Sequence, residues 1–84
     1  MTDPHTYLVL AANSVAARDI VNKLRHQGRR VRYVFGLRDM YGHDPQRTAL
    51  VLGHGYQQRS DWHELHSHMR LLINLGATIA DPHR

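Results

Sequence analysis

The order of hydrophobic and polar positions along the 84-residue chain predicts strands that alternate with helices. Residues 6–12, TYLVLAA, are almost continuously apolar, which is typical of a strand buried on both faces of a parallel sheet. Residues 13–28 follow with apolar side chains at helical spacing, namely Ala17, Ile20, Val21 and Leu24. Asn13 or Ser14 is placed to cap this helix, and Gly28 to close it.

The next segment predicts an edge strand and a loop. Residues 29–36, RRVRYVFG, alternate in character, with Val31, Tyr33 and Phe35 on one side and Arg30 and Arg32 on the other. This alternation is expected of a strand with one wetter face. Residues 36–47 contain two glycines and a proline, so they predict a connecting loop, with one helical turn around residues 37–41.

The second half of the chain repeats the pattern of strand, helix and strand. Residues 48–53, TALVLG, predict a second buried strand, and residues 77–82, ATIADP, a short fourth strand that its proline stops. A helix lies between them and ends at Gly76. Its first turn carries the predicted capping residues, Ser60 or Asp61, with Asp61 and Glu64 spaced as a capping box.

These elements predict a small Rossmann-like α/β fold in three layers. Two βαβ units in one sheet, each with a right-handed crossover, give a mostly parallel four-stranded sheet of order 2-1-3-4. The two crossovers run in opposite directions along the sheet, so one main helix should cover each face. The chain length suits a single domain that spans residues 1–84.

One helix on each face would leave part of the sheet uncovered, and a second copy of the chain could cover it. The core stripe of the second helix consists of Trp62, Leu65, Met69, Leu72 and Ile73. Leu71 falls on the far side of this stripe and Leu75 near its edge. The sequence therefore predicts a homodimer whose interface includes Leu71 and Leu75; the alternative is two ordinary exposed leucines.

The composition of the chain excludes several kinds of site and indicates where the protein is located. The chain has no cysteine, which excludes a disulfide, a thiolate zinc site and a cysteine nucleophile. Its longest apolar runs are too short to cross a bilayer, and the start MTDPH does not resemble a signal peptide. We therefore expect a cytoplasmic protein that does not associate with membranes.

Polar residues follow the carboxyl ends of the predicted strands. Ligands of open α/β sheets bind at this edge, where the strand order reverses, which here is between the first and third strands. The residues delivered there are Asn13, Ser14, Arg38, Asp39, His54, Gly55 and Tyr56. A helix N-terminus favours an anion such as phosphate, so a nucleotide-binding protein or small enzyme is one interpretation. Helix caps and loop hydrogen bonds are the other.

Motifs for cofactors and catalysis are poorly matched. The turn AANSVA after the first strand has neither the glycines of G-x-G-x-x-G nor the lysine of a P-loop. The pair Gly53 and Gly55 has Gln58 where a third glycine would stand, and no G-x-S-x-G elbow occurs. We predict no cofactor and no catalytic residue, and we favour a non-enzymatic protein while leaving an enzyme open.

The stretch SDWHELHSHMR, residues 60–70, approaches the zinc-protease motif H-E-x-x-H, but its second histidine comes one position early. His63 and His66 could still share a metal ion, with His43 or His54 as a third ligand. A metal-dependent hydrolase on this helix is the third interpretation. A solvated helix face explains the same residues, and we favour it.

Basic residues favour an anionic partner. The formal net charge is +4, and a cluster that could contact nucleic acid consists of Lys23, Arg25, Arg29, Arg30 and Arg32. Tyr33, Tyr41 and Tyr56 could stack on bases. The sequence contains no recognisable helix-turn-helix, zinc-finger or RNP motif, so a solvated basic surface is the alternative.

Three segments, YLVLAANSVAARDIV, RRVRYVFGLRD and ALVLGHGYQQRSDWHEL, together resemble the small orphan proteins carried by phages of actinobacteria. Those proteins are similar to a P-loop NTPase or helicase core reduced to a few βα units without its Walker A loop. The resemblance includes a GLRD-like turn at residues 36–39 and transfers no catalytic residue. It implies a binding protein of the host cytoplasm that engages a host protein. Together with the basic cluster, it leads us to expect a host protein or nucleic acid as the partner.

Overall fold

The computed structural model describes residues 6–80, which form four strands and two α-helices. The strands are β1 (Thr6–Leu10), β2 (Arg30–Tyr33), β3 (Thr48–Leu52) and β4 (Thr78–Ala80), and the helices are α1 (Ser14–His26) and α2 (Trp62–Asn74). Short 3-10 helices occupy Leu37–Met40, Pro45–Arg47 and Tyr56–Gln58. No helix in residues 6–80 has the length and apolar character that crossing a membrane requires.

The sheet has the predicted order, β2-β1-β3-β4, and all its strand pairs are parallel. Leu8 of β1 lies opposite both Arg32 of β2 and Leu50 of β3, and Leu50 in turn lies opposite Ile79 of β4. The two most apolar strands therefore run side by side in the same direction at the centre. Both outer strands are short, and both form edges of the sheet.

Each face of the sheet is packed against one α-helix, which confirms the three-layer α/β fold. On one face, Val9 and Val51 pack with Ala17 and Leu24 of α1. On the other face, the cluster joins Leu8, Leu10, Val34, Met40, Leu50, Leu65, Met69, Leu72 and Ala77. Side chains alternate across each central strand, so β1 and β3 contribute to both clusters.

The structure confirms the predicted caps of α1 but not the predicted capping box of α2. The Asn13 side chain accepts a hydrogen bond of 2.8 Å from the Ala16 amide, and Gly28 has a φ of 76° just beyond α1. The predicted capping box of α2 is wrong. Asp61 occupies the N-cap position but makes no capping hydrogen bond, because its carboxylate accepts a bond of 2.9 Å from Arg59.

The strand β2 is shorter than the predicted segment 29–36. Val31 and Tyr33 pack on the α1 side as expected, and the Val34 amide still donates to Val9 at 2.9 Å. The backbone then leaves the strand, because the Asp39 carboxylate accepts the Phe35 amide. Phe35 is consequently 72% exposed and does not join the row of buried residues on its strand. Of the predicted segment 77–82, the last two residues lie outside the described part.

Candidate functional site

Four arginines line one cavity of about 420 Å³ beside the edge strand β2. The residues that line this arginine cavity are Thr6, Arg25, Arg29, Arg30, Val31, Arg32 and His43. None of these lining residues is an aspartate or a glutamate. The cavity therefore has a net positive charge even though Arg32 is paired with Asp39, and this charge suits an anionic group.

The fold brings these arginines together from two neighbouring elements. Arg30 and Arg32 are two positions apart on β2, so both point to the same side of this edge strand. Arg25 lies in the last turn of α1, and Arg29 follows the glycine that closes this helix. Lys23, which the sequence grouped with them, lies on α1 outside the set of lining residues.

Two of the four arginines are held by neighbouring side chains, and two are not. Arg29 donates to the Tyr7 hydroxyl and lies 5.0 Å from the centre of the Tyr7 ring. Arg32 is paired with Asp39 at 3.1 Å, with 59% of its side chain exposed. Arg25 and Arg30 are exposed and make no side-chain hydrogen bond or ion pair with the described part of the chain. A ligand could thus reach both fixed and adjustable cations.

The Asp39 carboxylate organises the loop that follows β2. It accepts hydrogen bonds from the Phe35 amide at 2.8 Å and the Gly36 amide at 3.3 Å, and it pairs with Arg32. Partial burial alone would raise the pKa of Asp39, but the two amides and the Arg32 charge outweigh burial, so its pKa lies below the ordinary value. The carboxylate thereby joins the arginine cavity to the turn at Phe35.

At the point where the strand order reverses, the two loops are in direct contact. The Ala12 amide after β1 donates to the His54 carbonyl after β3 at 3.1 Å. A Cβ atom added to Gly55 would lie 2.9 Å from the Cβ of Ala12. Glycine is therefore required for this close approach, which is a packing reason for the Gly55 that the sequence assigned to a ligand site.

Arg59 crosses the carboxyl ends of the strands. Its guanidinium donates to the backbone carbonyls of Val34 (2.6 Å), Phe35 (2.6 Å) and Ala11 (3.4 Å), and makes two further bonds to the Asp61 carboxylate. All five N–H donors are thus used, and the side chain is 8% exposed. The arginine from the loop after β3 ties the end of β1 to the end of β2, in the region where a switch-point ligand is expected.

The seven predicted ligand residues are dispersed around this arginine. Asn13 caps α1, Asp39 serves the loop after β2, and Tyr56 packs against the core. Ser14, Arg38 and His54 are exposed. Sequence reasoning missed Arg59 because an arginine in the turn QQRSD belongs to no motif, and its carbonyl partners are distant in the chain.

A second concave surface, of about 300 Å³, lies between α2 and β4. It is lined by His66, Met69, Arg70, Ile73, Asn74 and Ile79. The Nδ1 atom of His66 is buried without a hydrogen-bond partner among the described residues. The Trp62 ring packs on both predicted metal ligands, 4.0 Å from His63 and 5.7 Å from His66 between centroids.

Residues 6–80 contain no group of three or more His, Cys, Asp or Glu side chains that could hold a metal ion. His43, one of the proposed third ligands, instead forms a hydrogen bond of 3.0 Å with the Asp39 carbonyl at the arginine cavity. His54, the other, is on the loop beside Ala12. Of the histidines of α2, His63 and His66 pack against the Trp62 ring, and His68 packs against Tyr41.

The two leucines of the predicted interface are exposed, Leu71 on α2 and Leu75 at the residue that follows this helix. Leu71 is 50% and Leu75 is 54% exposed, and they lie one helical turn apart. Tyr41 contacts His68 on the same helix at 5.0 Å between ring centres. Ile79, on the edge strand β4, is also exposed.

We compared the chain with protein-family models, with curated proteins and with solved structures, and none of the three comparisons found a match.

Proposed function

We propose that this chain is a non-enzymatic binding protein that engages nucleic acid through the arginine cavity beside β2. The observation that carries the proposal is that Arg25, Arg29, Arg30 and Arg32 line one concave surface, with Asp39 paired to Arg32 alone. Nucleic acids present regularly spaced phosphates, and arginine binds phosphate through a planar array of N–H donors.

The four arginines of the cavity are suited to binding an anion. Arginine stays protonated near neutral pH, so it serves as a charge partner for phosphate and does not exchange protons with a substrate. Two of the four guanidinium groups are already oriented, Arg29 by Tyr7 and Arg32 by Asp39. Oriented cations lose less side-chain entropy on binding than mobile ones, which supports a surface prepared for an anion.

Salt-dependent binding tests the proposal. We expect the protein to bind a fluorescein-labelled oligonucleotide, measured by anisotropy, with an affinity that falls by at least tenfold between about 50 and 200 mM salt. Combined Arg29→Ala, Arg30→Ala and Arg32→Ala substitutions should weaken binding and reduce the salt slope by roughly 2, because each lost phosphate contact lowers it by about 0.7–0.9.

A matched variant separates the cavity from net charge. Arg18, Arg38 and Arg70 are exposed and lie outside the cavity, so replacing these three by alanine removes the same charge elsewhere. This control should bind nearly as well as the unaltered protein. Arg30→Glu removes no hydrogen bond within residues 6–80, so it tests the cavity without a risk to folding. Equal loss of affinity in the two triple variants would contradict the proposal.

The sequence also left open a host protein as the partner, and a nucleotide or phosphate at the switch point. Isolation of partners from the native cell tests the first, and a thermal-shift screen with nucleotides tests the second. The position of Arg59 favours binding at the arginine cavity over binding at the switch point. Its guanidinium already occupies the backbone carbonyls at the switch-point edge of the sheet. The phage origin and the host cytoplasm remain predictions that rest on the resemblance alone.

We also propose that the chain forms a homodimer through the exposed side of α2. Leu71 and Leu75 are the residues that support this, because two half-exposed leucines on adjacent turns form a small apolar strip. Ile79 extends exposed apolar surface to the neighbouring edge of the sheet. The short chain adds a general reason, since small domains without disulfides gain stability from self-association.

A further inference from the structure

We infer that the bound nucleic acid is single-stranded and that one of its bases stacks on Phe35, an inference that rests on the function proposed above. Three features of the structure carry it: the exposure of Phe35 on a hydrogen-bonded backbone, its connection to the arginine cavity, and the size of that cavity.

Phe35 is exposed although its backbone is firmly held. Its amide donates to the Asp39 carboxylate at 2.8 Å, and its carbonyl accepts from Arg59 at 2.6 Å. Tyr33 contacts its ring edge-to-face, with 4.6 Å between centroids. With 72% of the residue in solvent, Phe35 presents an oriented aromatic surface. Such a surface suits a flat, apolar ligand.

The backbone of Phe35 is connected to Arg32 of β2 through the Asp39 carboxylate. The same Asp39 carboxylate that accepts the Phe35 amide also pairs with Arg32, which lines the arginine cavity. Arg30 and Arg32 point to one side of β2, whereas Tyr33, which contacts the Phe35 ring, packs on the α1 side, so a bound strand must pass around the end of β2 to reach both. The backbone from Arg30 to Phe35 spans at most about 18 Å. Cations for the phosphates, followed by an aromatic ring for a base, are the arrangement that single-strand-binding proteins use.

Two of the tyrosines that the sequence suggested for stacking are less suited than Phe35, because Tyr33 packs toward α1 and Tyr56 packs against the opposite core cluster. Tyr41 is 54% exposed and contacts His68 of α2, so it is less exposed than Phe35. The cavity of about 420 Å³ is also of the size that accepts one small molecule or one nucleotide. In a duplex the bases are stacked inside, so Phe35 would have no base face to contact.

Oligonucleotide binding by Phe35 variants tests this inference. An oligothymidylate of about 12 nucleotides lies within the site sizes of single-strand binders, and a duplex of equal length provides the comparison. Phe35→Leu keeps an apolar side chain but removes the ring, whereas Phe35→Trp keeps a stacking ring. We expect Phe35→Leu and Phe35→Ala to weaken binding of the single strand by roughly 5- to 100-fold with an unchanged salt slope, and Phe35→Trp to retain it.

The outcomes distinguish the two proposals. If the unaltered protein binds neither oligonucleotide in a salt-dependent way, both proposals are wrong. If the arginine variant loses binding while Phe35→Leu binds as well as the unaltered protein, or if the duplex is preferred, nucleic-acid binding stands and the stacking role of Phe35 is wrong. Thermal unfolding serves as the folding control, and an exposed side chain at this position should leave it nearly unchanged.

Discussion

Two charged side chains, Asp39 and Arg59, determine the shape of the loops at the carboxyl end of the sheet. Asp39 accepts the amides of Phe35 and Gly36, and Arg59 donates to the carbonyls of Val34 and Phe35. Backbone groups that leave a strand need new partners, because an unpaired buried N–H or C=O costs free energy. The two side chains supply these partners and so allow β2 to end at Tyr33.

The role of Asp39 predicts a dependence of stability on pH. Because the pKa of Asp39 is lower in the folded protein than its ordinary value of 3.8, the ionised form stabilises the fold above that value. This contribution is lost as pH falls through the folded pKa. We expect Asp39→Asn to lower the free energy of unfolding by about 1 kcal/mol near pH 7.

The difference between Asp39→Asn and the unaltered protein should shrink in acid, from about pH 5 downward. Urea unfolding at a series of pH values measures it. Asp19→Asn, on the exposed side of α1, is the control and should change stability by less than about 0.5 kcal/mol. A difference that persists unchanged at low pH would contradict the structural role of the ionised carboxylate.

Arg59 predicts a larger loss of stability. Arg59→Ala leaves the carbonyls of Val34 and Phe35 without their donor and the Asp61 carboxylate without its cation. We expect it to destabilise the fold by about 2–4 kcal/mol, as measured by urea unfolding. Arg38→Ala, which changes an exposed arginine of the neighbouring loop, should be nearly neutral. Equal stability of the two variants would show that the bonds of Arg59 are dispensable.

At the scale of elements, the loops after β1 and β3 fit together through backbone contact. The Gly53 amide donates to Leu10 at 2.6 Å. A Cβ atom on Gly53 would lie 2.9 Å from the Cβ of Ala11 and 3.2 Å from both the Leu10 carbonyl and Ile20. The packing of β1, β3 and α1 at this end therefore depends on glycine, which has no Cβ atom, at position 53.

Gly53→Ala should consequently destabilise the protein by roughly 1–3 kcal/mol, because the added methyl group overpacks a tight contact. Gly36→Ala is a matched control, since Gly36 has extended backbone and a Cβ there meets nothing within 4 Å. Thermal or urea unfolding of the two variants gives the comparison. If Gly53→Ala were as stable as Gly36→Ala, the β1–β3 contact would have to be looser than the structure shows.

The elements themselves were largely predictable from the sequence, and the exceptions have a physical cause. Continuous apolar runs predicted β1 and β3, and helical spacing predicted both helices, because burial imposes a period on each element. The capping box at Asp61 was wrong because Arg59, two residues away, is the stronger partner of that carboxylate. Local spacing does not reveal such a competition, since Arg59 is held there by carbonyls from β1 and the end of β2.

At the scale of the whole molecule, the two edges of the sheet differ in character: the β2 edge is charged and the β4 edge is apolar. The edge strand β2 carries Arg30 and Arg32, and charges of this kind hinder pairing with another sheet. The edge at β4 exposes Ile79, and the neighbouring helix α2 exposes Leu71 and Leu75. Self-association is therefore expected on the α2 and β4 side, while β2 stays accessible to a charged ligand.

Sedimentation equilibrium tests the proposed homodimer. The chain has a mass of 9.7 kDa, and we expect a species of twice this mass for the unaltered protein. Leu71→Glu combined with Leu75→Glu should give a monomer, because the interface would have to bury two unpaired carboxylates from each protomer. Val15→Glu, at an exposed position on α1, is the control. A monomer in the unaltered protein at all accessible concentrations would rule the dimer out.

The sequence by itself determined the class of fold, the strand order and the two packed faces, because hydrophobic periodicity and the handedness of crossovers are local or topological properties. It also contained the positive charge of the arginine cavity. Tertiary structure alone decided that Arg59 crosses the ends of β1 and β2 and that Phe35 is held in solvent. These arrangements depend on hydrogen bonds to backbone groups far away in the chain, for which side-chain patterns carry no information.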